Sequence, residues 1–112
     1  MDTRIKNMAH ATALVFADQV QYQPGQIVSK TLAQNESVSL TLFAFEKGEE
    51  ISTHASGGDA LVVVLDGRGE IEISGRSYML EAGQSIVMPA GEPHAVRAPD
   101  RFKMFLVVVF PE

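Results

Sequence analysis

The sequence predicts an all-β barrel, and three observations carry that expectation. Turn signals punctuate the chain at short intervals, the segments between them alternate apolar and polar residues, and no stretch of ten or more residues shows a capped helical period.

The elements follow in order. Residues 8–17, mildly apolar and preceded by Arg4 and Lys6, are expected to form a first strand with its lead-in. His10 and Thr12 break that run too much for the apolar segment of a secretion signal. Pro24-Gly25 marks an early turn. Val38, Leu40 and Leu42 then face one way while Ser37, Ser39 and Thr41 face the other. From Lys47-Gly48 onward turn signals recur at Gly57-Gly58, Asp66-Gly67, Ser74-Gly75, Ala82-Gly83, Ala90-Gly91 and Pro99-Asp100. Strand reversals are expected at Gly67, Gly83 and Gly91, where positive φ is cheap only for glycine. Ile71 and Ile73 alternate with Glu70 and Glu72, a half-buried strand. Residues 61–65 and 106–110 are continuous apolar runs, which suit strands covered on both faces.

Composition bounds the function. With 112 residues there is room for one core, so residues 1–112 read as a single domain. A net charge of −5 argues against a nucleic-acid partner. The densest basic stretch, Arg97, Arg101 and Lys103, is interrupted by Pro99 and Asp100 and reads as a solvated hairpin edge. No window has the length of a membrane span, so no membrane partner is expected. Cysteine is absent, which excludes thiolate metal sites and cysteine nucleophiles and agrees with a cytoplasmic location.

Two of the three histidines sit in a distinctive frame. Gly48 is followed after five residues by His54, and thirteen residues beyond it stands Gly67. A second frame runs Gly83, five residues, Pro89, one residue, Gly91, two residues, His94. These spacings resemble the two motifs of the cupin family, over Gly48 to about Ala98. The resemblance implies a double-stranded β-helix, a jelly-roll-like barrel in which His54 and His94 point into one cavity. In metal-binding members three histidines and a glutamate hold a divalent ion. Carried over residue by residue, His54 and His94 are the surviving metal ligands; the other positions hold Ser56, Ala60 and, closing the second motif, Ala98.

Two imidazoles with water make a weak site for a divalent metal (Zn, Ni, Mn or Fe), because the non-haem iron pattern needs a carboxylate as well. Asp59 and Glu92 are the candidate rescue donors; strand parity turns Asp59 away from His54, and Glu92 belongs on the rim. Ser56, Ala60, Met88 and Met104 are expected to contact a ligand, with Phe43, Phe45 and Tyr78 as further candidates for the lining. His10 lies outside both motifs.

Three functions follow. The favoured one is a small-molecule-binding barrel, with a possible weak divalent-metal site. A metal-dependent enzyme, an oxygenase or isomerase acting on a small organic molecule, is the second; a structural dimerisation module is the third. A homodimer is expected, through residues 11–16 or residues 105–110, because the apolar strand surface exceeds what one small barrel covers.

Overall fold

A computed structural model describes residues 4–112. Residues 1–3 of the single-domain reading lie outside the described residues. Eight strands follow one short 3-10 helix at Phe16–Gln19: β1 (Ile27–Gln34), β2 (Val38–Phe45), β3 (Glu50–His54), β4 (Asp59–Ile73), β5 (Arg76–Glu81), β6 (Ser85–Met88), β7 (His94–Arg97) and β8 (Phe102–Val109). All pairings are antiparallel, in the order β1-β2-β8-β4-β7-β3, with β5 and β6 also paired to β4. The result is a curled antiparallel barrel, as the turn spacing and alternation predict.

One expected reversal is absent. Asp66-Gly67 is not a turn: β4 runs straight through it for 15 residues. Its first part pairs with β8 and β6, its last part with β5 and β7. Gly67 bends the strand from one sheet into the other. Its φ is +71°, and a Cβ there would stand 2.1 Å from the Arg101 carbonyl oxygen, so no side chain fits. A glycine beside an aspartate signals a positive-φ residue; whether the chain then reverses or only bends depends on partners distant in sequence.

The sheet formed by β1, β2, β8 and the first part of β4 buries both faces. Its inner face supplies Phe45, Ala60, Val62, Val64, Phe102 and Met104 to the barrel core. Its outer face carries Leu32, Leu42 and Ala44, covered by Val20 with Met8, Phe16 and Tyr22 from the N-terminal segment. That segment is not the expected first strand. Residues 11–16 form no strand, and the chain lies across the sheet as a strap. The Lys6 N–H donates to the Leu32 carbonyl (2.8 Å), the Asn7 side-chain amide donates to the Thr31 carbonyl (2.8 Å), and the Phe16 ring meets Phe105 edge-on at 4.8 Å. Its apolar side chains are spaced for draping over a surface, not for the regular alternation that pairing would need.

The basic stretch also departs from expectation. Lys103 is buried, 7% exposed, and its Nζ donates to the Ala17 carbonyl at 2.7 Å. Arg101 forks onto Glu46 and stacks over the Tyr22 ring, 4.6 Å from its centroid. The Tyr22 hydroxyl donates to Asp66 at 2.6 Å. These groups clamp the strap to β8 and β4.

Burial, and next the hydrogen bond to Asp66, push the Tyr22 phenol well above its ordinary value. A raised folded value means that the unfolded chain loses the proton first. The stability from this contact is therefore whole below about pH 10, the ordinary tyrosine value, and declines as pH rises beyond it. Melting curves between neutral pH and pH 11 should fall less steeply for Tyr22→Phe than for the parent. Parallel profiles would show that the clamp does not couple to the fold.

Candidate functional site

His54 ends β3 and His94 opens β7, and the two are direct partners across the antiparallel pair. An irregularity between Ile51 and His54 resets the register just before the histidine. Their rings meet edge to face at 4.3 Å between centroids, with the two Nε2 atoms 3.1 Å apart. The expectation that His54 and His94 face one cavity holds.

The inner shell of hydrogen bonds fixes what these nitrogens offer. His54 Nδ1 lies 2.9 Å from the Ser52 carbonyl oxygen, and His94 Nδ1 lies 3.2 Å from that of Glu92. A carbonyl oxygen only accepts, so an Nδ1 that carries the hydrogen donates it there and leaves its Nε2 as an acceptor, whereas the Nε2–Nε2 contact is a hydrogen bond when one of the two Nε2 atoms carries the hydrogen. Two lone pairs at 3.1 Å repel unless a proton, a cation or a donor group shares them. His94 is 3% exposed, while His54 lies open to solvent. Burial first, and then the charge of a protonated His54, hold the His94 imidazole below its ordinary value. His94 is therefore uncharged near pH 7.

Behind the pair lies a cavity of about 280 Å³. Ser56, Ala60, Met88 and Met104 all line it together with His54 and His94. Ile51, Ala55, Val96, Leu106 and Val108 complete the wall, and the sequence reading did not single them out. Their signal was present in β8, where Leu106 and Val108 repeat the phase of Met104 at every second residue. Phe43 and Phe45 are packed into the barrel core away from the cavity, and Tyr78 lies on β5 under the Arg76 guanidinium.

The loops at the mouth are tied down. The Ser56 hydroxyl accepts the Gly58 N–H (3.2 Å), and the Ser56 carbonyl accepts the Gly91 N–H (2.9 Å). Both rescue carboxylates are committed elsewhere. Asp59 accepts the Ala90 N–H at 2.9 Å outside the cavity, and Glu92 accepts the Ser74 hydroxyl. His10 sits in the strap against the Ile5 carbonyl.

This donor set does not fit a resident Mn²⁺ or Fe²⁺ centre. Such ions call for carboxylate oxygen, and the cavity wall has none. Among the described residues no three His, Cys, Asp or Glu side chains converge. Ser56 and Ala60, which the motif resemblance sets at the positions of the third imidazole and the carboxylate, both line the wall.

Fold and site together define a small antiparallel barrel whose apolar cavity is bordered at one side by an imidazole pair. Residues 41–110 match the Cupin domain family, and the chain belongs to the cupin family. Among solved structures, a conserved protein of unknown function from Streptococcus pyogenes is 44% identical. It covers 99% of this chain and 97% of its own, with a TM-score of 0.96. A cupin superfamily protein from Desulfitobacterium hafniense is 29% identical over 97% of this chain and 100% of its own, with a TM-score of 0.92. A Cupin 2 conserved barrel domain protein from Leptotrichia buccalis is 43% identical over 84% of this chain and 46% of its own, with a TM-score of 0.82. No match is found among curated proteins.

Proposed function

We propose that the protein is a small-molecule-binding cupin barrel whose ligand places an apolar body in the cavity and one polar end against His54 and His94. The observation that carries this reading is the contrast within one wall. Apart from Ser56 and the imidazole pair, every lining side chain is aliphatic or a thioether. Its volume of about 280 Å³ stands near the lower end of the ordinary ligand-site range, roughly 300–1,000 Å³. A compact ligand suits it. An enzyme using a Mn²⁺ or Fe²⁺ centre is disfavoured by the missing carboxylate.

The test is a fragment screen read by thermal shift, repeated on Ala60→Leu, which fills the space without adding a polar group. Fragments that raise the melting temperature of the parent should lose that effect in the variant. Hits that bind both proteins equally would place the ligand elsewhere and defeat the reading.

We also propose that the barrel works as a homodimer in the cytoplasm. Val107, Leu61 and Val87 stand opposite one another in a row across β8, β4 and β6 on the outer face, next to Leu40 of β2 at the margin of the strap. Val87 is 49% exposed and Val109, on the same face of β8, is 53% exposed. An uncharged apolar row can meet a two-fold copy of itself without leaving a charge unpaired, and closed two-fold dimers are the commonest assembly. Light scattering should report about twice the 12.2 kDa chain mass, falling to the monomer in Val107→Lys. A monomeric parent at micromolar concentration would refute the dimer. No described helix is long and apolar enough to cross a membrane.

A further inference from the structure

The imidazole pair is one hydrogen short. Three contacts converge on it: His54 Nδ1 with the Ser52 carbonyl at 2.9 Å, His94 Nδ1 with the Glu92 carbonyl at 3.2 Å, and Nε2 with Nε2 at 3.1 Å. Each needs its own hydrogen, because a carbonyl oxygen only accepts and two bare ring nitrogens cannot bond each other. Two neutral imidazoles carry one N–H each, so one contact goes without whichever tautomers are adopted. We infer that the cavity selects an uncharged ligand that supplies the missing hydrogen, a compact alcohol or phenol, over a ketone, ether or carboxylate of similar shape. This rests on the ligand-binding reading and specifies the chemistry of the ligand's polar end.

Three features carry that choice. First, the deficit weighs on His94. His54 lies open to solvent, where water can satisfy its ring, whereas His94 is 3% exposed. With His94 Nδ1 against the Glu92 carbonyl, Nε2 is the ring nitrogen left to meet an occupant of the cavity. Second, the wall holds no substitute donor for it. The one other polar side chain there is Ser56, whose oxygen already accepts the Gly58 N–H, and among the described residues no hydrogen bond joins Ser56 to either ring. Third, no carboxylate, lysine or arginine lines the cavity. A carboxylate or ammonium ligand would shed its hydration there without a counter-charge, which leaves the uncharged donors.

Water supplies a hydrogen too, and that sets the selectivity. A hydroxyl that displaces water from Nε2 renews the bond it breaks; a ketone oxygen displaces the water and donates nothing. A ketone is met only if the His94 hydrogen moves to Nε2, which sets a bare Nδ1 against the Glu92 carbonyl. Either way the ketone leaves a buried acceptor unpaired, and the alcohol does not.

The experiment titrates the protein with cyclohexanol and, separately, cyclohexanone, which share a ring skeleton and heavy-atom count. It is run at pH 8, above the ordinary imidazole value of about 6.5. The methyl NMR signals of Met88 and Met104, which line the cavity, report its occupancy, and exposed Met79 on β5 is the control. Cyclohexanol should bind roughly tenfold or more tightly than cyclohexanone, the cost of one unpaired buried acceptor. That preference should persist in Ser56→Ala. It should vanish in the double variant His54→Leu, His94→Leu, which keeps an apolar wall and removes the deficit. A second readout needs no variant: ring ¹⁵N shifts of the cyclohexanol complex should show His94 with its hydrogen on Nδ1 and Nε2 accepting. Equal or tighter ketone binding in the cavity, a preference lost with Ser56, or a hydrogen on His94 Nε2 in the alcohol complex would each overturn the inference and leave the ligand-binding reading standing. Absence of any shift at Met88 and Met104 with both compounds would overturn it as well, and the fragment screen on Ala60→Leu then decides the wider reading on its own.

Discussion

Replacing Ser56 with histidine and Ala60 with glutamate together is expected to create a Mn²⁺ or Fe²⁺ site where the parent has none. Both positions line the cavity that His54 and His94 already enter. The double variant adds one imidazole and one carboxylate, and the carboxylate supplies both a hard donor and a compensating charge. Affinity for these ions should rise steeply, since two inner-sphere donors are added, one of them the carboxylate oxygen that such ions favour. Without metal the variant should be less stable, since Ala60 is 2% exposed and its replacement buries an unpaired acid. Adding metal should reverse that loss, because a ligand of the folded state stabilises by about 2.7 kcal/mol at a hundred times its dissociation constant. His54→Ala in the same background should remove most of the gain. The measurement is the melting temperature with and without Mn²⁺. A folded double variant that responds no more than the parent would mean that Ser56 and Ala60 do not present their side chains to the same point as the histidines.

Phe102→Ala should bring the fold close to collapse. Phe102 is wholly buried, stacks on Phe45 at 4.7 Å with planes 14° apart, and presses its ring against the backbone of Gly69. A Cβ at position 69 would lie 2.5 Å from that ring, so glycine and phenylalanine fit there as a pair. Removing a buried phenyl ring costs about 3–5 kcal/mol in well-packed cores. Small domains hold only about 5–15 kcal/mol in total. The midpoint of urea unfolding should therefore drop by a large fraction of its value. A loss below about 1 kcal/mol would show that the barrel end repacks freely around the gap, contrary to close core packing.

Strand content and the histidine pair were legible in the chain because both are written locally. Ile71, alternating with Glu70 and Glu72, becomes wholly buried while the glutamates stay on the outer face, where Glu72 meets Arg97. The glycine and proline spacing around His54 and His94 places two imidazoles on neighbouring strands, and they are paired residues in the structure. Local writing misleads where distant partners decide. Val38, Leu40 and Leu42 alternate as expected, yet Leu40 and Leu42 serve the outer core under the strap, while Phe43 and Phe45 serve the barrel. Nothing near Lys103 in sequence announces that its ammonium will meet a carbonyl contributed by Ala17. The N-terminal segment resembled a strand because its apolar content is real; its lack of a pairing partner is a property of the sheet, not of the segment. The cavity wall was only half legible for the same reason, since Ile51 shares the wall with His54 only through the register shift between them, and its partner Val96 follows His94 by two residues on β7.

The long strand β4 has a consequence for how this chain acquires its shape. It is the only strand shared by both halves of the barrel among the described residues, and its partners are all later in the chain: Arg76–Glu81, Ser85–Met88, His94–Arg97 and Phe102–Val109. The local hairpin with β5 can close early, but Asp59 meets Val109 only once almost the whole sequence has been gathered. Pairings so far apart must overcome chain entropy before they return any energy, which slows folding. Neither half can mature alone, because each lacks a wall that the other half of β4 provides. The imidazole pair depends on two such pairings, β7 on the far part of β4 and β3 on β7, so its geometry exists only once both have formed. The chemistry of the cavity is thus a property of the completed barrel.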